Sequence, residues 1–141
     1  IITNSMNMIY DAPLYLFSIL QSKMHMLWVF TVSGYLGPSI RYSAELSYNT
    51  FPFPNISDDL KDKLEQKAIE VLFDEREKYP EKPLDQLYAP NEIPQSLLNK
   101  HQEIDDLIDN CYQDKSFKND YERLNLLFQM YNDMTANKKL F

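Results

Sequence analysis

A chain of 141 residues is the length of one ordinary domain, or of a small domain joined to part of another, and 44% hydrophobic with 13% aromatic residues supplies enough apolar surface for a core, which excludes a disordered tail. The net charge of −7 argues against a freestanding nucleic-acid binder, whose footprint is ordinarily basic. That charge is unevenly placed: residues 1–54 hold Lys23 and Arg41 against Asp11 and Glu45 (2 − 2 = 0), so residues 55–141 carry all of it (12 − 19 = −7).

The stretch Ile1 to Tyr10 has no charged start, apolar run and small-residue cleavage site, so no signal peptide is expected, and the chain reads as a piece of something longer. Asp11 is expected to cap a helix with Pro13 in its first turn. Leu16, Phe17, Leu20, Met24, Leu27, Trp28 and Val32 recur at helical spacing, and Leu14, Ile19, Met26, Val29 and Phe30 fill the other side. The reading is one long buried helix, ended by Gly34. Ser18, Gln21, Lys23 and His25 interrupt the apolar run, so no membrane span and no membrane partner are expected.

Gly37-Pro38 signals a turn, and the alternation of Ile40, Tyr42, Leu46 and Tyr48 with polar residues suggests a short strand or extended loop. Phe51-Pro52-Phe53-Pro54 forces extended backbone and forms the expected seam between two regions, residues 1–54 and 55–141. Beyond it, Ser57 caps a helix with the stripe Leu60, Leu64, Ala68, Val71 and Leu72, ending near Tyr79-Pro80. A single turn at Leu84 to Tyr88 is followed by a Pro94-led helix using Leu97, Leu98, His101, Ile104, Leu107, Ile108 and Cys111. A last helix, from Lys118 to Thr135, uses Tyr121, Leu124, Leu127, Phe128, Tyr131 and Met134. The fold class is therefore mainly α: the long buried helix and a short extended or β segment, then a small antiparallel three-helix bundle.

Catalytic constellations are missing. Two glycines cannot build a phosphate-cradling loop, and there is no HExxH motif, cysteine pair or His/Cys cluster for a metal. Neither an independent hydrolase nor any cofactor bound by these residues is expected. The single cysteine, Cys111, fits a reducing cytoplasm and reads as a small core residue in preference to a nucleophile. His25 and His101 read as packing residues, and the run Glu103, Asp105, Asp106, Asp109 as a solvated face. What remains is Arg41 among Tyr35, Tyr42, Tyr48, Phe51 and Phe53, a weak signal for nucleic acid that equally suits an acidic helical protein-interaction module without DNA contact.

The strings Leu20-Gln21-Ser22-Lys23-Met24-His25-Met26-Leu27-Trp28, Val32-Ser33-Gly34, Ile40-Arg41-Tyr42-Ser43 and Tyr48-Asn49-Thr50-Phe51-Pro52 resemble the end of the target-recognition domain of MmeI-like DNA methyltransferases, single-chain restriction-modification enzymes. Tyr79-Pro80, Leu84 to Tyr88, His101 to Asp105 and Phe117 to Tyr131 continue the resemblance through the helical part. It implies a parent protein that methylates the adenine amino group with S-adenosylmethionine through an upstream methyltransferase domain, acting on double-stranded DNA. It also implies that alternate positions running into the Arg-Tyr-Ser string, its arginine included, reach base edges. Here those are Gly37, Ser39 and Arg41, with Tyr42 following. Arg41 suits guanine O6 and N7, Ser39 reads either base type weakly and Gly37 has no side chain to read with. Phe30 and Tyr35 stand where the family pattern carries arginines, which removes two phosphate contacts and predicts poor standalone affinity for DNA. Met24, His25 and Trp28 are expected to be scaffold beneath the reading edge.

Overall fold

The computed structural model describes residues 7–138. Ile1 to Met6, part of the stretch read for a signal peptide, lie outside the described residues. Six α-helices and one hairpin make up the regular structure: α1 (Leu14–Gln21), α2 (Lys23–Val32), β1 (Gly34–Leu36), β2 (Ser39–Arg41), α3 (Asp58–Ile69), α4 (Leu84–Leu87), α5 (Gln95–Tyr112) and α6 (Asp120–Lys138). A wide helical turn occupies Ala44–Tyr48, and α3 is prolonged by a second wide turn, Glu70–Glu75, and a tight one, Arg76–Lys78.

The expected long helix is broken at Ser22, whose backbone is extended (φ −66°, ψ 156°). Its hydroxyl donates to the Ile19 carbonyl at 2.6 Å and accepts from the His25 amide at 3.3 Å. One serine thus closes α1 and opens α2, the competition with the helical ladder that short polar side chains can win. The start also differs from expectation, because Pro13 holds the cap position while Asp11, at φ +50°, lies outside the helix. At the other end Ser33 turns extended (φ −77°, ψ 152°), and Gly34 begins β1 in place of a left-handed helix stop.

β1 and β2 pair antiparallel, with Gly34 opposite Arg41, Tyr35 opposite Ile40 and Leu36 opposite Ser39. The two residues between them are Gly37 and Pro38. Gly37 sits at φ +60°, the conformation that a glycine-first two-residue hairpin turn requires. The alternation anticipated as far as Tyr48 stops at Arg41. Ser43 becomes a cap, its hydroxyl accepting from the Leu46 amide at 3.4 Å, so Ala44–Tyr48 coils and Leu46 is left exposed.

Beyond the Phe-Pro seam the punctuation holds. Ser57 caps α3, accepting from the Leu60 amide at 3.4 Å, Leu84–Leu87 is a single turn, and Pro94 precedes α5. Leu64, Ala68, Val71, Leu97, Ile104, Ile108 and Leu127 are buried, whereas Leu98, Tyr121, Phe128 and Met134 of the expected stripes are exposed. Packing runs across the seam: α1 lies along α3, α2 against α5 and α6, and Ile19, Met24, Trp28 and Phe51 share one apolar cluster with Leu64, Leu97, Ile108 and Leu127. Cross-links reinforce it. The Ser18 hydroxyl donates to the Leu64 carbonyl at 2.7 Å, and the Tyr112 hydroxyl to the Pro52 carbonyl at 2.9 Å.

Of the carboxylate run read as a solvated face, Asp106 stays exposed, while Glu103, Asp105 and Asp109 are half-buried and bind other elements. Asp109 pairs with Arg123, both side chains under 15% exposed, with Oδ2 2.5 Å from Nη2. Glu103 and Glu70 share Lys67 and Lys100 at 2.6–3.1 Å, bridging α3 and α5. Asp105 Oδ1 accepts from the Lys23 backbone amide at 2.7 Å, capping α2 from another helix. Burial pushes the Asp105 carboxyl up from its ordinary value. No group of three or more His, Cys, Asp or Glu suited to a metal occurs among the described residues, and no described helix is long and apolar enough to cross a membrane.

Candidate nucleic-acid interface

The hairpin puts the sequence-predicted residues on one edge. In β2 the burial order is exposed, half-buried, exposed, so Ser39 and Arg41 share the open face while Ile40 turns inward, as the two-residue period of a strand dictates. Gly37 stands exposed at the turn. Among the described residues no carboxylate lies within ion-pair distance of Arg41, so its guanidinium fork is presented to solvent. Phe30 and Tyr35 are also exposed, and the Tyr35 hydroxyl donates to the Phe30 carbonyl at 3.0 Å. Together they give this side of the hairpin an aromatic surface.

Tyr42 points the other way. It is half-buried, with its hydroxyl hydrogen-bonded to His25 Nε2 at 3.1 Å, and burial raises the phenol above its ordinary value. His25 is only 2% exposed, lies edge-on to Phe51 at 4.6 Å between ring centroids, and is lowered to about 4 by desolvation, so it is neutral near pH 7. Phe51 continues onto Phe53 and Phe53 onto Tyr48 at 5.0 and 5.3 Å, an aromatic ladder running from α2 to the seam.

The base of the hairpin is fastened by hydroxyls. Ser33 and Ser47 are hydrogen-bonded at 2.7 Å, both buried, and the Ser47 hydroxyl also accepts from the Ser43 amide at 3.3 Å. Trp28 Nε1 donates to Thr50 Oγ1 at 3.0 Å, and that hydroxyl in turn donates to the Leu46 carbonyl. The Trp28 ring is buried against Phe128 and Tyr131 of α6, at 5.1 and 5.7 Å. Met24, His25 and Trp28 are therefore buried beneath the edge. Ser47 and Thr50 were not singled out from the sequence, since isolated hydroxyl residues give no periodic signal.

His101 lies in a separate polar cluster. The Arg76 guanidinium donates to the Tyr88 hydroxyl at 2.9 Å, leaving that hydroxyl to donate to His101 Nε2 at 2.7 Å. Desolvation, with the neighbouring Arg76 charge, lowers His101 to about 4. Cys111 is half-buried, donating to the Leu107 carbonyl at 3.1 Å, and burial pushes its thiol up, away from the reactive thiolate.

Comparison with known proteins agrees over nearly the whole chain. The family model for the MmeI target recognition domain matches residues 1–55, and that for the MmeI C-terminal domain matches residues 56–139. DNA methyltransferase A of Bacillus subtilis strain 168 is 42% identical over 135 residues, covering 96% of this chain and 15% of the relative. The solved structure of the Type IIL restriction-modification enzyme MmeI in complex with DNA superposes on 89% of this chain with a TM-score of 0.84 at 36% identity, this chain spanning 17% of that one. The chain belongs to the MmeI family, with sequence of its target recognition domain followed by its C-terminal domain.

Proposed function

We propose that this chain is the DNA-sequence recognition and structural support part of a site-specific DNA methyltransferase of a restriction-modification system, modifying the adenine N6 amino group. Arg41 on the exposed hairpin edge carries the reading: a guanidinium with no described carboxylate partner, on a rigidly seated strand, inside the region matched by the target recognition domain. In the major groove its fork would pair with guanine O6 and N7. Ser39 beside it makes a weaker contact, and Gly37 lets the backbone approach the DNA closely. Tyr42 serves the interface from beneath. Residues 1–54 form the recognition part and residues 55–141 the helical domain that braces it.

The methyl donor, S-adenosylmethionine, does not fit the residues described here. Gly34 and Gly37 belong to the hairpin, and no glycine-rich turn leads from a strand into a helix among the described residues. Cofactor and catalysis are assigned to an upstream methyltransferase domain of the same polypeptide, working on double-stranded DNA in the cytoplasm. Exchanging Gly37, Ser39 and Arg41 in the full-length protein and mapping methylated sites tests the reading. A recognition sequence altered at one or two base pairs is expected, and an unchanged one would remove the base-reading role.

A further inference from the structure

Resting on that base-reading role, we infer that Asp105, His25 and Tyr42 are positioning residues that couple the acidic helical part to Arg41, so that a carboxylate on α5 helps set the accuracy of reading. The chain of contacts is short. Asp105 on α5 accepts from the Lys23 amide at 2.7 Å and so holds the first turn of α2 from 82 residues away. His25 lies in that same turn, its own amide donating to Ser22 at 3.3 Å, and its ring is fixed edge-on to Phe51. Nε2 of His25 meets the Tyr42 hydroxyl at 3.1 Å, and Tyr42 is bonded directly to Arg41 at the end of β2.

Each link is stiff for a stated reason. The amides of a first helical turn have no partner within the helix, so an outside acceptor decides whether that turn frays. Here Ser22 satisfies one and Asp105 another. A buried ring against Phe51 follows the backbone that carries it, having no space to swing independently. Fraying at Lys23 therefore moves His25, releases the Tyr42 hydroxyl, and lets the guanidinium drift by fractions of an ångström relative to a base edge. Bidentate pairing tolerates that poorly.

The test uses the full-length methyltransferase and reads the ratio of methylation at the recognised site to methylation at sites altered in one base pair. Arg41→Ala fixes the base pair that Arg41 reads and should cut discrimination there by about 10- to 100-fold. Asp105→Ala and Tyr42→Phe should each reduce discrimination at that same base pair by roughly threefold to tenfold, the effect of losing one cap or one hydrogen bond. Asp105→Asn, which keeps an acceptor oxygen, should restore most of it, and Asp109→Asn, which weakens the neighbouring ion pair without touching the Lys23 amide, should leave it unchanged. A purely structural role would lower methylation of all sites together and would not follow this order. Relaxation by Arg41→Ala with no relaxation by Asp105→Ala or Tyr42→Phe overturns the coupling alone. Unchanged specificity in Arg41→Ala overturns base reading and the coupling with it.

Discussion

Tyr112→Phe measures how far the two regions fold as one. Tyr112 is half-buried, and its hydroxyl donates to the Pro52 carbonyl at 2.9 Å, joining α5 to the Phe-Pro seam. Burial pushes this phenol well above its ordinary value, so it stays a donor at every pH of interest. Phenylalanine keeps the ring and removes only the hydroxyl. The loss combines a net hydrogen bond, about 1 kcal/mol, with part of the cost of leaving the carbonyl of buried Pro52 without its donor, giving about 2 kcal/mol in all. For a chain of this size 1 kcal/mol moves the midpoint by roughly 3 °C, so a fall of about 6 °C is expected. Because Ile19, Met24, Trp28 and Phe51 share a cluster with Leu64, Leu97 and Leu127, the 141-residue chain should keep a single transition, coincident by far-UV and near-UV circular dichroism. Two separate transitions, or a midpoint unmoved by the substitution, would refute the continuous core.

Three further outcomes follow from charge and backbone geometry. His25 and His101 titrate near 4 when folded against 6.5 when free, so the unfolded chain binds more protons between those values, and stability falls as pH drops from 6.5 towards 4. The loss should be on the order of 3 kcal/mol for His25 and less for half-buried His101, and urea midpoints for His101→Gln should show a shallower slope. Arg123→Met should cost about 3 kcal/mol in denaturant melts by leaving Asp109 buried and unpaired, with Arg123→Met/Asp109→Leu recovering most of it. Gly37→Ala should cost roughly 1 kcal/mol, since φ is +60°, while Gly34→Ala is nearly silent because open space surrounds its Cβ position and its backbone is ordinary.

What local chemistry determines was readable before any coordinates. Gly37-Pro38 can hardly be anything but a turn, Ser57 and Pro94 announce helices, and the stripes Leu64-Ala68-Val71 and Leu97-Ile104-Ile108 lie inside as their spacing requires. Arg41 stood out among its aromatic neighbours and Ser39 came only from the resemblance, and strand alternation puts the two on one face. The break at Ser22 escaped because the apolar period continues through it, and only the choice of its hydroxyl between Ile19 and His25 reveals two helices. Asp105 and Asp109 were misjudged for a different reason. A carboxylate run looks the same on paper whether it meets water or meets the Lys23 amide and Arg123, partners 82 and 14 residues away. The exposed Tyr121 and Met134 fail likewise, since α6 lies against α2 and the register of that contact is tertiary information.

Helix α2 is held differently at its two ends, and ionic strength addresses them separately. At its start the Lys23 side chain pairs with Asp120 at 3.0 Å, both side chains 46% exposed, beside the Arg123 and Asp109 charges. Towards its end the fastenings are neutral: Ser33 to Ser47 and Trp28 to Thr50. Added salt screens exposed charges and leaves neutral hydrogen bonds almost untouched. The hydroxyl fastenings at the base of the hairpin are thus little affected by added salt, whereas the first turn of α2, where Asp105 and Asp120 act, is the end that salt can loosen.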